Sequence, residues 1–256
     1  MIPIHFYAQS DSVALKKDAK FKKTIEVNYN NLVFTEKYSA WHFGYLQLAF
    51  KKPSLSILPR INFNSRFSKL GIQAEVDVYK KIKSTVFYLN YGYSPTQFYP
   101  IHRFGLEAYR SLPYKLEASL GLRVLNFEKN TPLFYTTSIG KYYKNYWFSY
   151  RAFIVPLTDN INWSHIGMVR KYLKKDEEYI GFLIGLGAAT TDNALNVKDM
   201  FFLRSYRLGF QLNKFIATDW MIKPSFEISK QELSFRPKYY QTMYAMSLSV
   251  SKKIKQ

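Results

Sequence analysis

Apolar and polar positions alternate along most of this chain with a period of two, the pattern of strands that turn one side to a hydrophobic medium and the other to a polar one. The clearest stretch runs from Leu116 to Val124. Leu116, Ala118, Leu120, Leu122 and Val124 fall on one face, while Glu117, Ser119, Gly121 and Arg123 fall on the other. The same division separates Ile72, Ala74, Val76 and Val78 from Gln73, Glu75, Asp77 and Tyr79, and Phe87, Leu89, Tyr91 and Tyr93 from Tyr88, Asn90, Gly92 and Ser94. It returns near the C-terminus, where Trp220, Ile222, Pro224, Phe226 and Ile228 oppose Met221, Lys223, Ser225, Glu227 and Ser229. Pro224 is the discordant member, because it removes a backbone donor from a strand ladder.

Read at this period, strands are expected near 22–34, 40–50, 54–66, 69–80, 84–94, 102–111, 114–127, 132–141, 145–155, 160–173, 178–188, 199–212, 217–229 and 239–252. That makes about fourteen, and an even number suits a single-chain outer-membrane β-barrel of antiparallel strands. Twelve result if the weaker segments 54–66 and 132–141 are loops. Connections near 51–53, 81–83, 112–113 and 142–144 are short, whereas those near 95–101, 189–198 and 230–238 are longer and share the opposite parity. Such barrels have short periplasmic turns and longer external loops, so the longer set is expected outside the cell. The barrel would span 22–252, after a polar lead-in at 10–21 and before a short tail at 253–256.

Composition decides which medium the apolar face meets. Hydrophobic residues make up 47% of the 256-residue chain, with 22 Tyr, 21 Phe and 4 Trp. A soluble β-sandwich of this size rarely accommodates so many aromatic rings, whereas a membrane barrel places them as girdles at both interfaces. A membrane helix needs roughly 18 consecutive apolar residues, and the longest such run, Tyr179 to Ala189, falls short of it. All-β, antiparallel and transmembrane is therefore the expected class, with the bacterial outer membrane as its location.

Charge and chemistry refine this picture. The formal charge is +19, from 37 Lys and Arg against 18 Asp and Glu, which meets the first test for a nucleic-acid binder. No basic helix or Gly-rich phosphate loop accompanies it. The lysines gather at segment ends, as in Lys80-Lys81-Ile82-Lys83, Lys174-Lys175 and Lys252-Lys253, where they suit turns or anchors against anionic headgroups. Nucleic acid is not an expected partner. The absence of Cys excludes disulfides and thiolate chemistry, and no cofactor is expected. Met1 to Gln9 read as the end of a secretory signal with Ala8 near its cleavage point, which would put the true start upstream of Met1; an ordinary disordered leader is the alternative.

If the apolar faces meet lipid, the opposite faces carry Glu26, Arg60, Arg66, Glu75, Asp77, Arg103, Glu107, Glu117, Arg123, Arg151, Arg170, Arg207, Lys223 and Glu227 into the interior. These residues could form a selectivity lining for charged solutes or a packed plug of ion pairs. An alternative is an enzyme acting on lipid or lipopolysaccharide, for which His102, with Ser94 and Glu107 nearby in sequence, supplies the candidate base, nucleophile and orienting group. His5, His42 and His165 are the remaining histidines. A third alternative is a structural or surface-binding barrel whose loop at Thr190-Thr191-Asp192-Asn193 contacts a partner; the spacing there is not that of a calcium loop.

Several stretches together resemble the YaiO-type family of outer-membrane β-barrel proteins. They are Tyr91-Gly92-Tyr93-Ser94-Pro95, Phe98 to Tyr109, Glu117 to Arg123, Ser138 to Trp147 with Arg151, and Arg170-Lys171-Tyr172 followed by Tyr179-Ile180. The resemblance covers about residues 22–252. It implies a Gram-negative outer-membrane barrel surrounded by lipid and lipopolysaccharide and inserted by the barrel-assembly machinery, without implying a reaction. Some relatives carry a helical-repeat region before the barrel, an arrangement similar to polysaccharide-export pores. No such region is expected ahead of Phe21 here, a departure that counts against export. The expected function, from the charged interior, is a pore, or an export conduit, for small or polymeric, saccharide-like solutes. The basic C-terminus, Val250 to Gln256, departs from the aromatic ending usual for such barrels.

Overall fold

The computed structural model describes residues 20–35, 39–156, 161–188, 204–233 and 236–254. These residues form fourteen strands: β1 (Lys22–Phe34), β2 (Trp41–Lys52), β3 (Leu55–Arg66), β4 (Lys69–Ile82), β5 (Thr85–Tyr93), β6 (His102–Leu112), β7 (Leu116–Asn126), β8 (Leu133–Tyr143), β9 (Tyr146–Pro156), β10 (Ile161–Tyr172), β11 (Tyr179–Ala188), β12 (Arg204–Phe215), β13 (Trp220–Leu233) and β14 (Arg236–Ile254). Each pairs antiparallel with its neighbours in sequence, and β1 pairs with β14 from Lys23↔Ile254 to Phe34↔Met243, closing the barrel. Closure is what a lipid environment demands, since no water is present there to satisfy the backbone groups of a free edge.

The period-two pattern becomes two surfaces. Val27, Ile61, Leu89, Leu120, Phe182, Ile184 and Leu208 stand exposed on the outer face, Leu120 at 72%. Their sequence neighbours Glu26, Arg60, Asn90 and Ser119 are buried on the inner one. Segments 54–66 and 132–141 are both strands, so the twelve-strand alternative is excluded.

Three boundaries differ from expectation. β12 runs to Phe215, and its expected first residues, 199–203, lie outside the described residues. β14 continues to Ile254, through part of the expected tail. The expected loop at 230–238 is mostly ladder, with Lys230↔Thr242, Gln231↔Gln241, Glu232↔Tyr240 and Leu233↔Arg236 paired and a register irregularity between Glu232 and Leu233. Gln231 faces inward while Lys230 and Glu232 face outward, so this hairpin is polar on both sides and the alternation that marks a strand lapses. The secretory remnant at 1–9, most of the lead-in and the loop at 189–198 lie outside the described residues.

Pro224 is accommodated at a cost to one ladder. The β12–β13 pairing stops at Gln211↔Ser225 and resumes at Lys214↔Ile222, while Pro224 stays in register with Leu248 on its other side. Pro59 repeats the arrangement: β2–β3 pairing lapses between Gln47↔Arg60 and Phe50↔Ile57, and Pro59 keeps Val76 as its partner in β4. A residue without an N–H loses its bond on one side only.

The start of β1 and the end of β14 lie at one end of the barrel, together with the turns at Pro53–Ser54, Lys83–Ser84, Pro113–Lys115 and Lys144–Asn145. That end also bears an outward-facing basic girdle. Each even-numbered strand carries one such residue within its last three positions: Lys52, Lys80, Arg110, Lys141, Lys171, Lys214 and Lys252.

Candidate functional site: the charged inner wall

All the charged residues assigned to the interior from sequence project inward, because each shares strand parity with a buried polar neighbour. They fall into clusters linked across strands.

The densest lies on β3 to β6. The Glu75 carboxylate meets Arg60 Nη2 at 2.9 Å and Arg103 Nε at 3.8 Å. It also accepts hydrogen bonds from Asn62 Nδ2 and Asn90 Nδ2, both at 2.7 Å. Asp77 takes Arg60 Nη2 at 3.2 Å, the Tyr88 hydroxyl at 2.8 Å and Asn90 Nδ2 at 2.7 Å. Arg60 Nη1 donates to Gln47 Oε1 at 3.3 Å. The Glu75 side chain is 1% exposed, and such a buried carboxylate persists only when its charge and lone pairs are met in this way.

A second cluster joins β6, β7 and β9. Arg151 Nη1 reaches both Glu107 oxygens, at 2.8 and 3.0 Å, and Ser119 Oγ donates to Glu107 Oε1 at 2.6 Å. Beside it, Trp147 Nε1 donates to Glu117 at 3.1 Å. In a third, Lys223 Nζ and the Tyr45 hydroxyl share Glu26, at 2.6 and 2.7 Å.

Three of the four remaining inward arginines rest on rings. Arg170 lies over Trp147 and Tyr179, at 4.9 and 4.5 Å from their centroids, Arg66 over Trp41 and Phe43, and Arg123 over Phe153. Sequence reasoning passed over these inward aromatics and the amides Gln47 and Asn62, and set Gln73 and Asn90 on the polar face without giving them a role. Their strand parity, shared with the charges, was the signal that could have found them.

Burial divides the wall in two. From β3 to β6 nearly every inward residue is sealed, Gln73 at 0% exposure and Glu107 at 2%. On β12 and β13, Arg207, Gln211, Lys223, Ser225 and Glu227 are only half-buried, as is Arg123 on β7. One side of the interior is packed; the other is partly exposed, although Ser205, Met221, Ser229 and Gln231 on the same strands are buried.

The residues considered for catalysis do not converge. Glu107 faces inward, whereas His102 projects from the outer face, where its Nδ1 lies 3.2 Å from the Tyr91 hydroxyl and its ring 5.5 Å from that of Tyr93. The barrel wall separates the two. Ser94 spends its hydroxyl on the Ile72 carbonyl at 2.6 Å. His42 and His165 behave like His102, each paired at 2.7 Å with an outward tyrosine, Tyr29 and Tyr150. Among the described residues no group of three or more His, Asp or Glu could hold a metal ion.

Residues 22–192 match the family model of the YaiO membrane beta barrel domain. No curated protein matches the sequence. Among solved structures, the fold is similar to a bacterial polysaccharide outer membrane secretin, at 7% identity and a TM-score of 0.59 over 93% of this chain and 100% of that one. It is likewise similar to the outer membrane protein Omp33 of Acinetobacter baumannii, at 9% identity and a TM-score of 0.56 over 92% and 99% of the two chains. An anion-selective porin from Comamonas acidovorans aligns at 7% identity and a TM-score of 0.51, over 91% and 99%. Identities this low establish a shared barrel fold and nothing about cargo.

Proposed function

The chain belongs to the YaiO membrane beta barrel domain family of the bacterial outer membrane, and from that premise we propose that it is a pore for anionic, saccharide-like solutes passing along its half-open wall. The observation that carries this reading is the distribution of inner charge. The described inward-facing carboxylates are Glu26, Glu75, Asp77, Glu107, Glu117 and Glu227; the inward arginines alone outnumber them, and Lys51, Lys81 and Lys223 add to the excess. Glu26, Glu75, Asp77 and Glu107 are moreover already engaged by cations. With Lys223 held by Glu26, the field left in the open half comes from Arg123 and Arg207 against Glu227 and is net positive, and a low-dielectric wall focuses such a field on whatever enters. Two proteins of similar fold, the polysaccharide secretin and the anion-selective porin, handle cargo of this general kind, and the proposal extends that to this chain.

Planar bilayers test it. In a KCl gradient the folded protein should give a reversal potential of the sign set by chloride, and Arg207→Glu with Lys223→Glu should move it toward potassium. A folded barrel without conductance, or one that prefers cations, would overturn the proposal.

A further inference from the structure

The basic girdle at the terminal end has no acidic counterpart on the outer face of the described strands; the unburied turn acids at this end are Asp176, Glu177 and Asp219, in the β10–β11 and β12–β13 turns, where Glu177 pairs with Lys253. Among the described strand residues, one carboxylate faces outward, Glu232, and it lies at the opposite end of the barrel. The girdle residues instead abut the apolar outer face. Leu55 is in register with both Lys52 and Lys80, and Lys80 is also in register with Phe87. Lys171 Nζ lies 5.8 Å from the Tyr146 ring centroid and Lys252 Nζ 5.0 Å from that of Trp220. Alternate strands stand roughly 10 Å apart around the barrel, close to the Debye length of about 8 Å in physiological salt. Like charges at that spacing, beside hydrocarbon, repel one another unless anions come between them. The strands supply none on this face, and the turn acids stand only beside β10 to β14, so along β2 to β8 the membrane must.

The short turns identify this end as periplasmic, where the leaflet is phospholipid. We propose that the girdle is a binding annulus for the phosphate headgroups of anionic phospholipids in the periplasmic leaflet. Each ammonium or guanidinium reaches a headgroup from the end of its strand while the adjoining ring or Leu stays at acyl-chain level. Turn residues Lys83, Lys115 and Lys144 extend the positive field into the aqueous side of the same layer. The annulus is independent of whether the lumen conducts, since an occluded barrel would carry the same outer face.

The full chain in phosphatidylethanolamine vesicles, probed with spin-labelled lipids, reads the relative association of each lipid with the barrel surface. Phosphatidylglycerol should exceed phosphatidylethanolamine several-fold, a basic side chain at an anionic surface being worth up to about fivefold. The variant K80Q/R110Q/K141Q/K171Q should bring the ratio close to one, whereas R204Q/K230Q at the opposite end should leave it unchanged. Raising salt from about 0.1 to 1 M shortens the Debye length from about 10 to 3 Å and should erode the wild-type preference, a readout that needs no variant to fold. A wild-type ratio of one, a preference insensitive to salt or retained by the quadruple variant, or stronger association of lipid A than of phosphatidylglycerol would overturn the assignment.

Discussion

Replacing Glu75 by Ala should separate the structural half of the inner wall from the half that faces water. Its carboxylate is held by Arg60, Arg103, Asn62 and Asn90, with the side chain 1% exposed. Removing it strands positive charge in a buried site: Arg60 keeps Asp77 and Gln47, but the acceptor at 2.9 Å is gone. Breaking a buried ion pair from one side costs about 3–5 kcal/mol, and that is the loss expected for Glu75→Ala. Glu75→Gln keeps the shape and one acceptor oxygen but loses the charge assistance of its hydrogen bonds, so about 1.5–3 kcal/mol is expected. Arg207→Ala, half-exposed on β12, should cost under about 1 kcal/mol, because water can replace what it touches. Urea unfolding followed by tryptophan fluorescence measures all three. Conductance should show the opposite order, with ion selectivity moved by Arg207→Ala and little changed by Glu75→Gln. If Glu75→Ala costs no more than Arg207→Ala, the β3–β6 wall is penetrated by water and its division from the β12–β13 side fails.

Arg151 and Glu107 should behave as a coupled pair: Arg151→Ala and Glu107→Gln combined ought to cost less than the sum of the single changes, by about 1–3 kcal/mol in a double-mutant cycle. Strict additivity would mean that the 2.8 Å contact contributes nothing. At the β3–β4 turn, Phe67 and Ser68 both hold positive φ, 50° and 59°, in which a Cβ is strained; Ser68→Gly should raise stability by about 0.5–1 kcal/mol in urea titrations, and a loss would show the strain to be absent. His102→Ala removes an outward ring paired with Tyr91 and should leave any lipid-hydrolysing background at the wild-type level. A drop specific to that variant would restore the enzymatic reading.

What the sequence could and could not tell follows from the geometry of a closed sheet. Strand parity alone places Glu75, Asp77 and Glu107 inside, since each lies one residue from an apolar neighbour that must face lipid. Partnership is another matter. Glu107 lies near Arg103 along the chain, yet it binds Arg151 three strands away, while Arg103 turns to Glu75 two strands in the other direction. Tilt and stagger decide which inward residues reach the same height, and neither is written into the alternation of a single strand. His102 misled for a related reason. Its neighbours in sequence include an acid and a hydroxyl, but strand parity sets His102 and Glu107 on opposite sides of the wall. The hairpin joining β13 and β14 was lost because polar residues on both of its faces erase the period-two signal, although the ladder continues.

The formal charge of +19 acquires meaning only when apportioned by face. Arg60 and Arg103 are neutralised within the packed half of the wall, where they fix how β3 to β6 fit together. Arg207 borders the open half and contributes to the field a solute meets, as does Lys223 together with its partner Glu26. Lys80, Arg110, Lys141 and Lys171 never see the lumen, because the sheet stands between them and it. Charges on the two faces are thus separated by a low-dielectric wall and should act independently. Neutralising the girdle should alter lipid preference while leaving the reversal potential in place, and reversing Arg207 and Lys223 should do the converse. A variant of one set that moved both readouts would mean that the two faces communicate through the barrel, as a sheet whose shape depends on its annular lipid would.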